Sequence, residues 1–96
     1  MSAEPQIMRE VTGSKGRYVL RRGDEEAELT YSIASSVLII ADHTAVPDSF
    51  RGRGAGAALV ARLVADAMAE GVKIFPLCPF VNATRRRHPE WAAAFV

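Results

Sequence analysis

Three glycines within five residues, Gly52, Gly54 and Gly56, separate an apolar run from an amphipathic segment. The apolar run, residues 37–41, is rich in β-branched side chains, which is typical of a central strand covered on both faces. Residues 54–70 repeat small and apolar side chains at spacings of three and four, which predicts a helix. A strand that leads through a tight glycine loop into a helix predicts a layer of helix packed on sheet.

The segments around this helix predict a mixed sheet. Residues 17–22 and 27–33 are expected to pair as an antiparallel hairpin that turns at Gly23 and Asp24. Gly71 should end the helix in a left-handed conformation, and residues 72–75 should return as a strand parallel to residues 37–41. The inner face of the helix is predicted to hold Gly56, Val60, Leu63, Val64, Ala67 and Met68.

The predicted order is therefore three strands, a helix and a fourth strand, followed by two short helices. Residues 79–96 supply the short helices, which are divided at His88 and Pro89. The fold class is α/β, or α+β, with a mixed, mostly antiparallel sheet, one main helix after the glycine loop and short C-terminal helices.

Length and composition exclude several classes of protein. Residues 1–96 are expected to form a single domain, and one cysteine allows no internal disulfide, which suits a cytoplasmic location. No apolar stretch approaches the roughly 20 residues of a membrane-spanning helix. A net charge of +1 and scattered aromatic residues argue against nucleic-acid binding, and one cysteine with two histidines at unsuitable spacings argues against a metal site.

The glycine loop is suited to a phosphate group. Glycines allow close approach of a ligand to the backbone, and the free amides at a helix start carry partial positive charge, so a diphosphate is a natural guest. No Lys-Ser or Lys-Thr pair follows the loop, which excludes a Walker motif. Ala57 and Leu59 stand where a dinucleotide fingerprint needs glycine.

Arg51, Gly54 and Gly56 form the pattern Arg-x-x-Gly-x-Gly, which resembles the pyrophosphate loop of GNAT-type acyl-CoA transferases. The downstream segments Cys78-Pro79-Phe80 and His88-Pro89-Glu90-Trp91 extend the resemblance to the short YjdJ-type branch of that superfamily, over residues 18–91. It implies a minimal GNAT-like N-acetyltransferase fold, with acetyl-CoA as co-substrate, no metal, and a small or protein amine as acceptor. The alternative is a non-catalytic module that binds CoA or acyl-CoA, or docks on a partner.

The resemblance also implies where acetyl-CoA lies. The pantetheine arm would face a strand end formed by Thr44, Ala45 and Val46. A cleft for the arm is expected where this strand diverges, near Val46, from residues 72–75. The extra helices that complete the acceptor site of longer members have no room between these strands, so the acceptor site should be minimal or completed by a partner. The pyrophosphate would be held by the loop residues Arg51, Gly52, Arg53, Gly54, Ala55 and Gly56.

Two residues are candidate catalytic groups. Cys78 is predicted to cap a helix that begins at Pro79, where the positive helix end favours a reactive thiolate. The alternative is an inert buried thiol, but the resemblance places a recurrent cysteine here beside the thioester. His43 follows the central strand and Asp42, so it is either a general base at the sheet edge or a structural histidine bonded to backbone.

Other polar residues of the C-terminal half have simpler interpretations. His88 precedes a proline at a helix break, which predicts a structural hydrogen bond. Arg85, Arg86 and Arg87 either grip a phosphate, such as the 3′-phosphate of CoA, or form a solvated helix face.

Overall fold

The computed structural model describes residues 6–50, 52 and 54–96. In that part of the chain the strands are β1 (Ile7–Thr12), β2 (Lys15–Arg22), β3 (Glu25–Ser35), β4 (Leu38–Ala45) and β5 (Lys73–Phe75). The main helix, α1, is Ala55–Glu70 and a shorter helix, α2, is Pro79–Arg86, while Asp48–Phe50 and Pro89–Ala94 are 3-10 helices. The predicted α+β class, with one main helix and short C-terminal helices, is confirmed.

The five strands form one sheet in the order β1-β2-β3-β4-β5. Neighbouring strands are antiparallel except β4 and β5, which are parallel across the α1 crossover. The mixed, mostly antiparallel sheet is therefore as predicted. The sequence prediction missed β1, because most of its side chains are exposed and it has no alternating apolar pattern to reveal it.

Helix α1 packs on what we call the inner face of the sheet. That face presents Tyr18, Leu29, Tyr31, Ile39, Ala41 and Ile74, all buried in one cluster with α1. The buried stripe of α1 is centred on Leu59, Leu63 and Ala67, at spacings of four. Met68 was predicted to belong to this stripe but is 52% exposed, because it lies at the margin of the contact between α1 and the sheet.

The prediction that β4 is covered on both faces is wrong. Ile39 and Ala41 are buried on the inner face, but Ile40 and Asp42 on the opposite, outer face are only partly buried. The buried apolar side chains of α1, α2 and Pro89–Ala94 join the inner-face cluster. Strand β4 also runs further than residue 41, because β3 continues to pair with it as far as Ala45.

A polar cluster on the inner face joins β1 to α1. Arg9 Nε donates to Tyr31 Oη at 3.0 Å, and its guanidinium donates to the Glu70 carboxylate at 2.5 and 3.1 Å. Tyr18 Oη donates to Asp66 at 2.8 Å. The hydrogen bond from Arg9 lowers the pKa of Glu70, and burial, helped by the contact with Asp66, raises the pKa of Tyr18. We call Arg9, Tyr18, Tyr31, Asp66 and Glu70 the inner polar cluster.

The C-terminal segment folds back along β5. Phe95 forms a parallel bridge with Ile74, and the Val96 amide donates to the Ile74 carbonyl at 3.0 Å. The two predicted short helices are present on either side of His88. The His88 ring stacks on Trp91 and bonds Glu90 at 2.9 Å, so its predicted structural role is confirmed.

Candidate functional site

The glycine loop leads into α1 through left-handed backbone. Gly52 has φ 76° and Gly54 has φ 70°, a region that side-chain-bearing residues avoid. Gly54 caps α1, and its carbonyl accepts the first helical hydrogen bond, from the Ala58 amide, at 2.9 Å. No acidic residue lies in the first turn of α1, so that turn itself supplies no carboxylate to compete for the amides that lack intrahelical partners. This helix end is suited to an anion; the predicted contacts Arg51 and Arg53 lie outside the described residues.

Gly56 has a packing role that the sequence did not reveal. A β-carbon at Gly56 would lie 2.6 Å from Cζ of the Phe80 ring. The side of Gly56 that lacks a side chain is therefore filled by Phe80. A bulky residue at this position would therefore displace Phe80. The predicted contact of the Gly56 amide with pyrophosphate stays a prediction.

Strands β4 and β5 diverge, as predicted, but earlier than expected. They pair only from Leu38 with Lys73 to Ile40 with Phe75, and the Ala41 carbonyl then accepts from the Cys78 amide at 2.8 Å. Beyond Ala41, β4 has no strand partner on its β5 side among the described residues. The predicted pantetheine contacts Thr44 and Ala45 lie on this free edge, and Val46 follows it. Backbone groups on such an edge can pair with an extended ligand.

Cys78 caps α2, with Pro79 as the first helical residue, as the sequence predicted. The thiol is 3% exposed, and its Sγ lies 3.4 Å from Oγ1 of Thr44. The structure thus brings the candidate nucleophile to the free edge of β4. The sequence gave no signal for the contact with Thr44, because the two residues are 34 positions apart.

His43 lies inside β4, which corrects the prediction that it follows the strand. The register shifts between Thr30 and Tyr31: Thr30 faces His43 and Tyr31 faces Ala41, so Asp42 is the extra residue of a β-bulge. His43 is exposed on the outer face, whereas Thr44, the next residue, contacts Cys78 on the inner side. The two candidate catalytic groups therefore point to opposite sides of β4.

The three consecutive arginines have different surroundings. Arg85 donates to Asn82 Oδ1 at 2.8 Å and lies over the Phe95 ring, 5.6 Å from its centre. Arg86 and Arg87 are exposed at the end of α2. This arrangement fits the solvated-face interpretation for Arg86 and Arg87 and gives Arg85 a packing role.

The part of the chain that the structure describes has neither a helix suited to span a membrane nor a side-chain cluster suited to hold a metal ion. None of the helices found there is long and apolar enough to cross a membrane. Within the same residues, no group of three or more histidine, cysteine or acidic side chains is arranged to hold a metal ion.

Comparisons with known proteins bear on the identity of this fold. An NMR structure of a GCN5-like protein from Staphylococcus aureus is similar over 99% of this chain and 91% of that chain, with a TM-score of 0.72 and 23% identity, which shows the fold. A search of curated proteins gave no match. The family model described as GCN5-related N-acetyl-transferase matches residues 17–94, which is most of the chain, although it does not test the YjdJ-type branch. This chain therefore belongs to the GCN5-related N-acetyltransferase family.

Proposed function

We propose that this protein transfers an acetyl group from acetyl-CoA to an amine. The observation that carries the proposal is the free edge of β4 beyond Ala41, with the Cys78 thiol in contact with Thr44 on that edge. Family membership supports acyl-CoA-dependent acetyl transfer. The left-handed glycine loop before α1 adds an anion site on the same chain segment that follows β4.

Acetyl-CoA would bind along two parts of this site. Its pyrophosphate accepts hydrogen bonds from the amides of residues 51–56, where the α1 dipole is positive. Its pantetheine arm pairs with the free backbone groups of Thr44, Ala45 and Val46, as an added strand would. The arm then carries the thioester towards Cys78, which is held against Thr44.

The first chemical route passes through Cys78. The thiol loses its proton as its sulfur attacks the thioester carbonyl, the bond from carbonyl carbon to CoA sulfur breaks, and that proton passes to the departing CoA sulfur. An amine then attacks the new thioester on Cys78, which forms the amide and restores the thiol. Burial of Cys78 protects such a carrier from water.

The second route is direct attack of the amine on acetyl-CoA. His43 would take the proton that the amine loses, and CoA would leave as a thiolate that is protonated afterwards. Because His43 and Cys78 lie on opposite sides of β4, this route approaches the thioester from the outer face. The separation of these two groups also favours a second candidate function, binding of acyl-CoA without turnover, which needs neither residue.

The deciding experiment combines mass spectrometry with release of free CoA. Protein mixed with acetyl-CoA should gain one acetyl group on Cys78, and the adduct should disappear when a panel of amines is added. Cys78→Ser, which keeps the size of the side chain and a hydrogen bond to Thr44, should lose the adduct and most of the activity. Full activity of Cys78→Ala would instead favour the direct route. If the protein binds acetyl-CoA but releases no CoA in the presence of any amine of the panel, the second candidate function, binding without turnover, would be favoured.

Two glycines offer a matched test of the anion site. Gly54 and Gly71 cap opposite ends of α1, both have φ 70°, and an added β-carbon meets nothing within 4 Å at either. Alanine at each position should cost about 1–2 kcal/mol in backbone strain. Only Gly54→Ala is expected to weaken CoA binding in calorimetry, because Gly54 lies in the loop that would hold the pyrophosphate. The expected loss of affinity is roughly tenfold, which corresponds to about 1.4 kcal/mol. Equal CoA affinity in the two variants would contradict the proposed pyrophosphate site.

A further inference from the structure

The outer face of the sheet holds a hollow that the binding of acetyl-CoA does not use. Its volume is about 420 Å³, within the range of sites for small molecules. It draws side chains from four strands: Glu10 and Thr12 of β1, Lys15 and Arg17 of β2, Thr30 of β3 and Asp42 of β4. We call it the outer hollow.

The charges around the outer hollow favour a cation. Arg17 is compensated by Glu10 and Glu28, each at 2.8 Å, and by Glu26 at 3.7 Å. Arg21 is bound to Glu26 at 2.6 Å. The lining itself is balanced, with Glu10 and Asp42 against Lys15 and Arg17. With the neighbouring Glu26, Glu28 and Arg21 included, four carboxylates face three cations, so this part of the outer face carries one excess negative charge.

Asp42 is the carboxylate best placed to bind such a cation. It accepts a hydrogen bond of 2.6 Å from the neutral hydroxyl of Ser32. Lys15 Nζ forms an ion pair with Asp42 at 3.8 Å and donates to the same Ser32 hydroxyl at 2.7 Å, but its side chain is 71% exposed, so an incoming ammonium group can displace it. An ionised carboxylate has about four acceptor sites, so Asp42 keeps capacity for an incoming ammonium group.

The bulge in β4 puts Asp42 close to the proposed chemistry. Asp42 stands next to His43 on the outer face and two residues before Thr44, a separation of about 7 Å along a strand. Beyond Ile40, β5 no longer pairs with β4, so the gap that would hold the thioester begins beside Asp42 and His43. An amine held by Asp42 would therefore approach the thioester from the outer side, where His43 is exposed.

We propose that the outer hollow is the acceptor site and that it takes a small primary amine, bound as a cation through Asp42. This inference rests on the proposed function. The ammonium group gives one proton to His43, and the neutral nitrogen then forms a bond to the acetyl carbon as the bond to sulfur breaks. The products are the N-acetylated amine, CoA and one released proton.

Asp42→Asn tests the site in the transfer reaction. Asparagine keeps the shape of the side chain and can still accept from Ser32, but it lacks the charge. The KM for a small primary amine such as 1,4-diaminobutane should rise at least tenfold, while the affinity for acetyl-CoA stays unchanged. Asp24→Asn, at the turn between β2 and β3, makes the same change in net charge away from the hollow and is expected to leave KM unaltered.

A binding experiment separates this inference from the proposed function. CoA-saturated protein labelled with ¹⁵N is titrated with butylamine or 1,4-diaminobutane, and with butanol as the neutral control. The amines, but not butanol, should cause saturable changes in the amide chemical shifts of Thr12, Lys15, Thr30 and Asp42. These changes should disappear in Asp42→Asn.

Each outcome of these experiments decides one claim. Amine shifts elsewhere on the protein, or shifts that Asp42→Asn leaves intact, would overturn the outer hollow as the acceptor site. Measurable transfer with an unchanged KM in Asp42→Asn would overturn it too, with the transferase function intact. Shifts at the hollow without any release of CoA from acetyl-CoA would support amine binding there and overturn the transferase function.

Discussion

Two charged clusters lie on opposite faces of β2, anchored by neighbouring residues. Tyr18 belongs to the inner polar cluster and is 1% exposed. Arg17 belongs to an outer ion-pair cluster with Glu10, Glu26 and Glu28, and its side chain is 34% exposed. The inner cluster is therefore built on buried tyrosines, although its Arg9 and Glu70 side chains are 28% and 46% exposed, whereas the outer cluster consists of exposed or half-buried charges alone.

The clusters differ in what they connect. The outer cluster links adjacent strands, whereas Arg9 and Glu70 in the inner cluster are 61 positions apart and join the edge strand β1 to α1. Exposed ion pairs contribute about 0–1 kcal/mol each, because water solvates the separated charges well. The Arg9–Glu70 pair is itself exposed, but the inner cluster also has partly buried hydrogen bonds from Tyr18 to Asp66 and from Arg9 to Tyr31, and bonds of this kind contribute about 1.5–3 kcal/mol each. The inner cluster should thus determine stability, and the outer cluster should determine surface charge.

The largest effect should come from Gly16→Ala. A β-carbon at Gly16 would lie 2.2 Å from the ring of Tyr31, which is fully buried. The ring must move and lose its hydrogen bond from Arg9, at a cost of roughly 3 kcal/mol or more. Urea unfolding measures the loss. Gly13→Ala, where φ is 61° and the space is open, is the control, with an expected cost of about 1–2 kcal/mol. A Gly16→Ala cost no larger than that would show that the inner cluster is not tightly packed.

Removal of one charge from the inner cluster should have the next largest effect. Asp66 accepts from Tyr18 Oη at 2.8 Å and from Arg62 Nε at 3.1 Å. Asp66→Asn should lower the free energy of unfolding by about 2 kcal/mol. Asp24→Asn, on an exposed turn, should change it by less than about 0.5 kcal/mol. If the two variants unfold at the same urea concentration, the inner cluster contributes no more than the surface.

Alkaline pH should weaken the fold through Tyr18. Its pKa is raised above the ordinary value of 10.0 by burial and by its hydrogen bond to Asp66. The unfolded chain therefore loses this proton first, and above pH 10 the unfolded state binds fewer protons than the folded state. The resulting stability is fully present below that pH and is lost as pH rises, by about 1 kcal/mol over the next pH unit. Unfolding curves of Tyr18→Phe should lose this part of the pH dependence; an unchanged slope would contradict the assignment.

The smallest effect is expected in the outer cluster. Glu28→Gln removes one of three carboxylates around Arg17, and the loss should stay below about 1 kcal/mol. The difference between this variant and the parent should shrink further in high salt, which screens exposed charges. A salt-independent loss as large as that of Asp66→Asn would remove the contrast between the two faces.

Local signals in the sequence were sufficient for much of the fold. The periodicity of residues 54–70 and the glycine that follows predicted α1 and its left-handed cap at Gly71, which has φ 70°. The extent of β4 was not predictable in this way, because its second half is polar. Those polar residues remain in a strand because β3 pairs with them and the outer face is open to solvent. Strand β1 was not predictable either, because most of its side chains are exposed and show no alternation of apolar and polar residues.

The candidate site also has features that could be predicted from the sequence and features that could not. Pro79 identified Cys78 as a helix cap, and the resemblance to the family led to the expectation that β4 diverges from β5. Contacts between distant residues were beyond reach of the sequence, as in the packing of Phe80 on Gly56 and of Thr44 on Cys78. The bulge that sets Asp42 and His43 on the outer face was also hidden, since it depends on register rather than on residue type. The roles of the loop residues in holding acetyl-CoA stay predictions.

The backbone of Phe95 and Val96 alongside β5 has a consequence for association with other chains. Strands at the edge of a sheet expose unpaired amides and carbonyls, which invite pairing with a second molecule. At β5 the chain fills part of this edge with its own C-terminal segment, through the Val96 amide and the Ile74 carbonyl. At the other edge, β1 carries Arg9 and Glu10 at its centre, and charge of this kind discourages edge-to-edge aggregation. Among the described strands, the stretch of β4 beyond Ala41 is left as the edge to which an extended ligand can add.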